Sequence, residues 1–308
     1  VAILLTFMYR ITDQGSAGYL VTMIVYLWPL VAFLPPLFPF KKSLGNEKEP
    51  QWTTYAVCAC CALFCCNCEQ ICVAAIMTWG MIILYTYFQS KSINKLYCLL
   101  LLIAFAHLVF ITTCPGNTAR TASEITRLPS FEHFSFIRKI GLCIGSPIVK
   151  YMVGTWQSLI VWAFSVILPL TVFLKNKKAY IPLLVSLIPF GLLLFSFFKF
   201  DPVFTILHET TAGQLAYICT ISVAFYGSIF FSLFYIGKDE ESIIAKYAPL
   251  FIFFVGFTTR ACLGITISFL EMARTFFLLE YAMIAISIMF MTRHISNWTG
   301  KSKKVNLV

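Results

Sequence analysis

Long apolar stretches alternate with short polar, charged or Pro/Gly-containing breaks along the whole chain. A transmembrane helix needs about 20 predominantly apolar residues to cross the hydrocarbon core of a bilayer, and several stretches reach that length. The pattern therefore predicts an all-α fold, a polytopic transmembrane helix bundle with about eight to ten membrane segments. The predicted segments are residues 1–9, 17–40, 54–66, 71–88, 96–113, 152–174, 180–198, 212–236, 248–270 and 275–292.

Two parts of this pattern leave the number of helices open. The runs 54–66 and 71–88 predict either two short helices that meet at a polar break or one bent helix. The last two runs are separated only by the short polar segment 271–274. The first run, 1–9, is too short to cross a membrane. We therefore expect the opening helix to be cut, so that the chain is a fragment or lacks its first segment.

Composition strengthens the membrane interpretation. Hydrophobic residues make up 59% of the chain and charged residues only 12%, whereas soluble domains carry about 25% charged residues. The net charge of +10 could indicate nucleic-acid binding, but the basic residues lie in short segments between apolar runs. We therefore expect membrane lipid, and no nucleic acid, as a partner.

The distribution of Lys and Arg predicts an orientation. Fourteen of the 23 basic residues fall in alternate short segments, which the positive-inside rule places in the cytoplasm. These segments are 41–53, 89–95, 175–179, 237–247 and 293–308. Most acidic, amide and histidine side chains then face the outer side. The sequence predicts a single transmembrane domain over residues 1–308, with an outer-face loop of amphipathic helices at 114–151.

Twelve cysteines raise the question of a metal or redox site. Seven of them lie between Cys58 and Cys72, interleaved with apolar residues. Zinc sites are built from C-x-x-C pairs in solvated knuckles, whereas free cysteine in an apolar helix behaves as a small hydrophobic residue. We interpret the cluster as helix packing and predict no metal ligands.

The sharpest local motif follows the segment 96–113. Pro115 and Gly116 predict a helix stop and a tight turn, after which Asn117 can N-cap a new helix over residues 118–128. Arg120 would then lie beside the exposed N–H groups of a helix start, which suits a phosphate. The alternative interpretation of the same residues is a capped turn with a solvated arginine and no bound anion. Further along, the mixed aromatic and basic residues 131–140 predict a helix in the membrane interface.

Two further ionisable residues interrupt apolar stretches. Glu69 lies between two runs rather than at a loop end, and such groups at membrane depth usually face a cavity or a partner; a carboxylate that reaches the outer interface is the alternative. Arg260 lies near the middle of the run 248–270, with Gly256 on the same helical face, where a neighbouring helix can approach closely. We expect Arg260 either to bind an anionic head group in a cavity or to form an internal ion pair with Glu69, Glu271 or Glu280.

Four short motifs, spread over roughly residues 13–275, resemble a group of bacterial polytopic membrane proteins. That group is compared with the Gtr-type O-antigen glucosyltransferases and the wider C-superfamily glycosyltransferases. The motifs are Gly15-Ser16-Ala17-Gly18-Tyr19-Leu20-Val21, Asn67-x-Glu69-Gln70, Pro115-Gly116-Asn117-x-x-Arg120 and the late Arg260. The Pro-Gly-Asn-x-x-Arg element is the most specific of them.

The resemblance implies a glycosyltransferase that takes a sugar from a polyprenyl-phosphate donor at the outer face of the cell inner membrane. The acceptor would be a cell-envelope glycan or lipid. Asn117, Arg120 and Arg260 would contact phosphate or sugar, and Glu69 would act as acid/base or position the acceptor. A base or metal ligand in the first external loop would lie ahead of Val1, so any cofactor stays open.

Two other functions fit a polytopic chain. A transporter or flippase for a lipid-linked sugar is expected to show internal repeats and polar residues in both halves of the membrane. A non-catalytic membrane scaffold needs no catalytic loop. The sequence contains no convincing repeat, and its polar residues gather on one face, which favours the transferase.

Overall fold

The computed structural model of the chain describes residues 23–40, 51–127, 131, 133–153, 159–199, 211–262 and 276–298. Within these ranges the chain is helical and contains no strand, which confirms the predicted all-α fold. The helices are α1 (Trp28–Phe33), α2 (Trp52–Cys65), α3 (Glu69–Ser90), α4 (Lys95–Thr113), α5 (Pro115–Arg127), α6 (Phe136–Val153), α7 (Leu159–Lys175), α8 (Tyr180–Lys199), α9 (Ala212–Gly237), α10 (Ile243–Cys262) and α11 (Phe277–Trp298). A π-type turn, Met23–Leu27, precedes α1, and a 3₁₀ turn, Pro35–Leu37, follows it.

Four of the described helices are long and apolar enough to cross a membrane: α3, α4, α9 and α10. Shorter apolar helices cover Val25–Phe40, Trp52–Cys65, Leu159–Lys175 and Tyr180–Ser196. Large apolar side chains such as Leu102, Ile181 and Val223 are more than half exposed on these helices. Contiguous apolar surface of this kind is avoided in water and is ordinary in lipid. The chain is a membrane protein.

The chain divides into two compact units, residues 1–120 with 306–308 and residues 121–305. In the first unit, α3 and α4 form a hairpin through the short connection 91–94, which makes them antiparallel. Lys91 closes α3 in the left-handed conformation, with a φ of 54°. Asn94 opens α4, because its side chain accepts a hydrogen bond from the Leu96 N–H at 3.1 Å.

Aromatic side chains hold the early helices of the first unit against this hairpin. Trp79 of α3 is fully buried and lies 6.3 Å from the ring of Phe33 in α1. The hydroxyl of Tyr97 in α4 donates to the carbonyl of Pro36 at 3.0 Å. The runs 54–66 and 71–88 are two helices, α2 and α3, separated by the turn 66–68. This resolves the alternative that the sequence left open.

The second unit has its core where α6, α7, α9, α10 and α11 meet. Phe253 of α10 is fully buried there, stacked on Phe164 at 6.1 Å and edge-on to Phe230 at 5.1 Å. The interfacial prediction for residues 131–140 fits only the beginning of α6. Phe136 and Ile137 are strongly exposed, but the later residues Leu142 to Ile148 enter this core. The predicted run 152–174 was wrong at its start, because residues 152–153 end α6.

At one end of the second unit, basic side chains join α7 and α11 to the end of α9 and the loop that follows it. Lys175, the last residue of α7, donates to the carbonyls of Tyr235 and Ile236 at 2.9 and 2.8 Å, where α9 ends. Its Nζ also lies 2.9 Å from Asp239 Oδ2. On the other side of the α9–α10 loop, Arg293 NH1 lies 3.0 Å from Glu240 Oε1. Three segments that the sequence assigned to the cytoplasm are thereby brought to one end.

Candidate functional site

Arg260 is the most deeply buried cation of the described chain, with no exposed side-chain surface. It lies in the last turn of α10 as described, Ile243–Cys262. The expected position at the middle of the run 248–270 depended on residues 263–275, which lie outside the described residues. Burial of a charge in apolar surroundings is costly unless the charge is hydrogen-bonded or paired.

Gly256, one turn before Arg260, explains why α10 and α11 approach so closely. A Cβ at position 256 would lie 3.0 Å from the Cβ of Ala282 and 3.1 Å from the Cα of Leu279. Both atoms belong to α11, so glycine is required for this contact. The prediction that Gly256 admits a neighbouring helix is confirmed. Gly264, Glu271 and Arg274 lie outside the described residues.

The guanidinium of Arg260 contacts a hydroxyl and an aromatic ring. Its NH1 donates to the Ser146 hydroxyl of α6 at 3.3 Å. Its central carbon lies 4.2 Å from the ring centroid of Phe276, just before α11. Arginine stacks on aromatic faces in this way and keeps its in-plane N–H groups for anions. The arrangement therefore holds a positive charge in an apolar interior.

Two tyrosines lie near this arginine, and an acid lies near one of these tyrosines. The hydroxyls of Tyr151 in α6 and Tyr226 in α9 lie within electrostatic range of the guanidinium. Glu280, in the first turn of α11, lies within electrostatic range of the Tyr151 hydroxyl. Of the three acids predicted as internal partners of Arg260, Glu280 belongs to this neighbourhood and Glu271 lies outside the described residues. Glu69 belongs to the other unit.

The second helix of this site, α6, is fastened to α9 by a ladder of hydrogen bonds. The side chains of Cys219, Ser222 and Tyr226 lie on one face of α9. They donate to the carbonyls of Gly141, Ile144 and Pro147, successive turns of α6. Tyr226 reaches Pro147 at 2.9 Å, immediately after Ser146. Helix α6 therefore contacts both α9 and α10 next to Pro147, where proline removes one backbone hydrogen bond of α6.

In the first unit, Glu69 is the first residue of α3 and is half-buried. A carboxylate in the first turn of a helix is stabilised by the helix dipole. The Cys72 thiol donates to the carbonyl of Ala104 at 3.3 Å, which fixes the register of α3 against α4. Glu69 is therefore level with about residue 107 of α4, about 9 Å short of the end of that helix at 1.5 Å per residue.

The predicted N-cap at Asn117 is wrong. Helix α5 begins at Pro115, because proline suits the first helical position, where no N–H is needed. The N–H groups of Asn117 and Thr118 bond to the carbonyl of Cys114 at 3.0 and 3.4 Å. The Asn117 amide donates back to the carbonyl of Ile111 in α4 at 2.7 Å. These groups hold the corner between α4 and α5 instead of forming an open anion cradle.

Arg120 lies in α5 near this corner, and its side chain lies outside the described residues. Because α3 and α4 are antiparallel, Glu69 and this corner lie at the same end of the hairpin. The cysteines Cys58, Cys65, Cys66, Cys68 and Cys72 are buried in the first unit. In the described part of the chain, no three His, Cys, Asp or Glu residues are grouped to hold a metal ion.

Sequence reasoning missed Ser146, Tyr151 and Tyr226. All three lie in helices whose facing sides become known only from packing, and a serine or tyrosine in an apolar run gives no signal of its own. Comparison of the chain with known protein families, with curated proteins and with solved structures finds no match. The residues of the chain itself therefore carry any functional proposal.

Proposed function

We propose that the protein is a membrane-embedded glycosyltransferase that uses a polyprenyl-phosphate-linked sugar at the outer face of the bacterial inner membrane. The observation that carries the proposal is the fully buried guanidinium of Arg260, held among apolar helices by Ser146 and Phe276. The donor of such an enzyme brings a phosphate into the membrane on an isoprenoid chain, where a buried cation can meet it.

Energetics support a functional arginine. Burying a charge in an apolar interior is costly unless the charge is hydrogen-bonded or paired, and ionisable residues inside a membrane protein mark substrate paths or proton relays. The guanidinium fork matches phosphate oxygens in pairs. As the sugar leaves, negative charge grows on the departing phosphate, and a preorganised cation in a dry site stabilises that charge. Arg260 is assigned this role.

Glu69 and Arg120 keep the roles that the sequence suggested. Glu69, held at the start of α3, is the acid/base or acceptor-positioning residue, and Arg120 is a further phosphate contact. Asn117 is retained as a residue that orients Arg120, because its amide fixes the corner from which α5 departs. Removal of a proton from an acceptor hydroxyl requires a base within hydrogen-bond reach.

Complementation in cells tests this proposal. We expect Arg260→Gln, Arg120→Ala and Glu69→Gln to lower glycan modification by about 100-fold or more, as loss of one transition-state donor does, while membrane insertion is unchanged. Arg138→Gln is the matched control, since that guanidinium lies 3.9 Å over the ring of Phe134 at the exposed beginning of α6. Full modification by the Arg260→Gln variant would contradict the proposed function.

A further inference from the structure

Tyr151 is an exception among the buried hydroxyl groups of the second unit. Its side chain is 2% exposed, and its hydroxyl has no hydrogen-bond partner in the part of the chain that the structure describes. By contrast, the hydroxyls of Ser222, Tyr226 and Ser232 each donate to a backbone carbonyl. A buried hydroxyl without a partner is costly, and such groups in native proteins call for an explanation.

Its position supplies the explanation. The Tyr151 ring lies edge-on to Phe276, with centroids 5.0 Å apart, and Phe276 is the ring on which Arg260 stacks. The Tyr151 hydroxyl lies within electrostatic range of Arg260. Ser146, from the same helix as Tyr151, accepts from Arg260 and still carries an O–H to donate. Tyr151 and the guanidinium therefore lie against one aromatic ring, and the Ser146 hydroxyl contacts the guanidinium.

We propose that Tyr151 and Ser146, together with Arg260, bind the phosphodiester group of a membrane lipid. Hydroxyl donors beside a guanidinium match the free oxygens of a phosphate. A phosphodiester carries a single negative charge, which one guanidinium balances. The identification of that lipid as a polyprenyl-phosphate-linked sugar rests on the proposed function. A phospholipid headgroup has the same chemistry.

The binding site is closed in this structure, since Arg260 and Tyr151 are both buried. Entry of a headgroup requires α6 to move away from α10. The break at Pro147 permits this movement, because proline leaves one turn of the helix without its backbone hydrogen bond. Tyr226 holds the carbonyl of Pro147, so α9 guides the hinge while the end of α6 beyond it moves.

Variants of two buried hydroxyl residues separate a loss of ligand binding from a loss of stability. We expect Tyr151→Phe to leave the thermal stability of the purified full chain unchanged or raised, because it removes an unpaired hydroxyl. The same variant should weaken binding of a short-chain prenyl phosphoglucose about 10-fold or more, the loss of one hydrogen bond to a charged group. Ser232→Ala is the control, because it removes a buried hydroxyl of α9 that donates to the carbonyl of Ser228. It should change the Kd by less than about 3-fold.

Binding is measured in detergent as the ligand-dependent shift of the unfolding midpoint, with prenyl phosphoglucose, phosphatidylglycerol and a prenyl phosphate monoester as probes. Ser146→Ala serves as a second variant and should weaken the binding of the two diesters as Tyr151→Phe does. Equal affinity of wild type and both variants for every diester, or an equal loss in Ser232→Ala, overturns the inference.

Two further outcomes separate this inference from the proposed function. Tyr151-dependent binding of phosphatidylglycerol, without binding of prenyl phosphoglucose, supports the diester site and contradicts the proposed donor. Binding of prenyl phosphoglucose that neither Tyr151→Phe nor Ser146→Ala weakens contradicts the site and leaves the donor in place.

Discussion

At the scale of single residues, the end of the second unit near Lys175 depends on one lysine with several partners. The Nζ of Lys175 closes α9 by donating to the carbonyls of Tyr235 and Ile236, and it pairs with Asp239. The hydrogen bond from Lys175 lowers the pKa of the Asp239 carboxyl below its ordinary value. Asp239 lies in the loop 238–242, outside the membrane-spanning helices, and is exposed.

A carboxyl whose pKa is lowered by folding stabilises the folded state at pH values above its unfolded pKa. That contribution disappears as the pH falls through the lowered, folded pKa. We therefore expect Asp239→Asn to reduce the unfolding midpoint slightly at neutral pH, as for exposed ion pairs, and not at all below the folded pKa. Unfolding midpoints of both proteins over an acid series check this, with Glu241→Gln as the exposed control. A difference that persists at the lowest pH would contradict it.

At the scale of elements, the contact between α10 and α11 depends on the missing side chain at Gly256. Ala282 and the backbone of Leu279 occupy the space that any Cβ would need. Gly227 in α9 provides a contrast, because a methyl group there meets no atom within 4 Å. Replacing glycine by valine changes the intrinsic helix propensity by nearly the same amount at both positions. A difference in stability between the two variants therefore reports the difference in packing.

We expect Gly256→Val to lower the free energy of unfolding by about 1–3 kcal/mol, the usual cost of overpacking a helix contact. Gly227→Val should stay within about 0.5 kcal/mol of the wild type. Denaturation of both variants in the same detergent measures the difference. Equal stability of the two would show that α10 and α11 are not packed through Gly256.

The sequence was most informative where an apolar run ends at charged or polar residues. The runs 71–88, 96–113, 180–198 and 212–236 match α3, α4, α8 and α9 to within a few residues, because continuous apolarity and helix length are local properties. The interfacial helix predicted over residues 131–140 overlaps only the first part of α6. That helix begins with exposed Phe136 and Ile137 beside basic residues, whereas Leu142 and Ile148, beyond the predicted range, lie in the core.

The candidate site was predictable in part for a related reason. An arginine in an apolar run is conspicuous by its cost, so Arg260 could be selected from the sequence alone. Tyr151 and Ser146 could not, since their importance depends on which faces of α6 and α10 meet. Asn117 was placed correctly at a corner of the chain. Because α5 begins at Pro115, about one turn earlier than predicted, the Asn117 amide donates to the carbonyl of Ile111 instead of capping the new helix.

At the scale of the whole molecule, the α3–α4 hairpin fixes which loops share a side. The two helices contain 22 and 19 residues, about 33 and 28 Å at 1.5 Å per residue, which matches the hydrocarbon core of about 30 Å. We therefore expect the connection 91–94 and the corner at Cys114 to lie on opposite sides of the membrane. The positive-inside rule assigns the lysine-bearing connection to the cytoplasm.

Thiol labelling in intact cells tests this orientation. In a variant without accessible native cysteines, we expect Gly116→Cys to react with an impermeant maleimide added outside. Ser92→Cys should react only after the membrane is permeabilised, because it lies in the lysine-bearing connection. Labelling of both positions from outside, or of Ser92→Cys alone, would contradict the predicted orientation and remove Glu69 from the outer face.

A structure of the full chain with bound prenyl phosphoglucose tests the central claim most directly, because it shows where the phosphate lies. The account predicts a phosphate oxygen at hydrogen-bond distance from the Arg260 guanidinium, about 2.7–3.2 Å, with α6 moved at Pro147 to admit it. A phosphate bound elsewhere, with Arg260 still buried against Phe276 and Ser146, would contradict it.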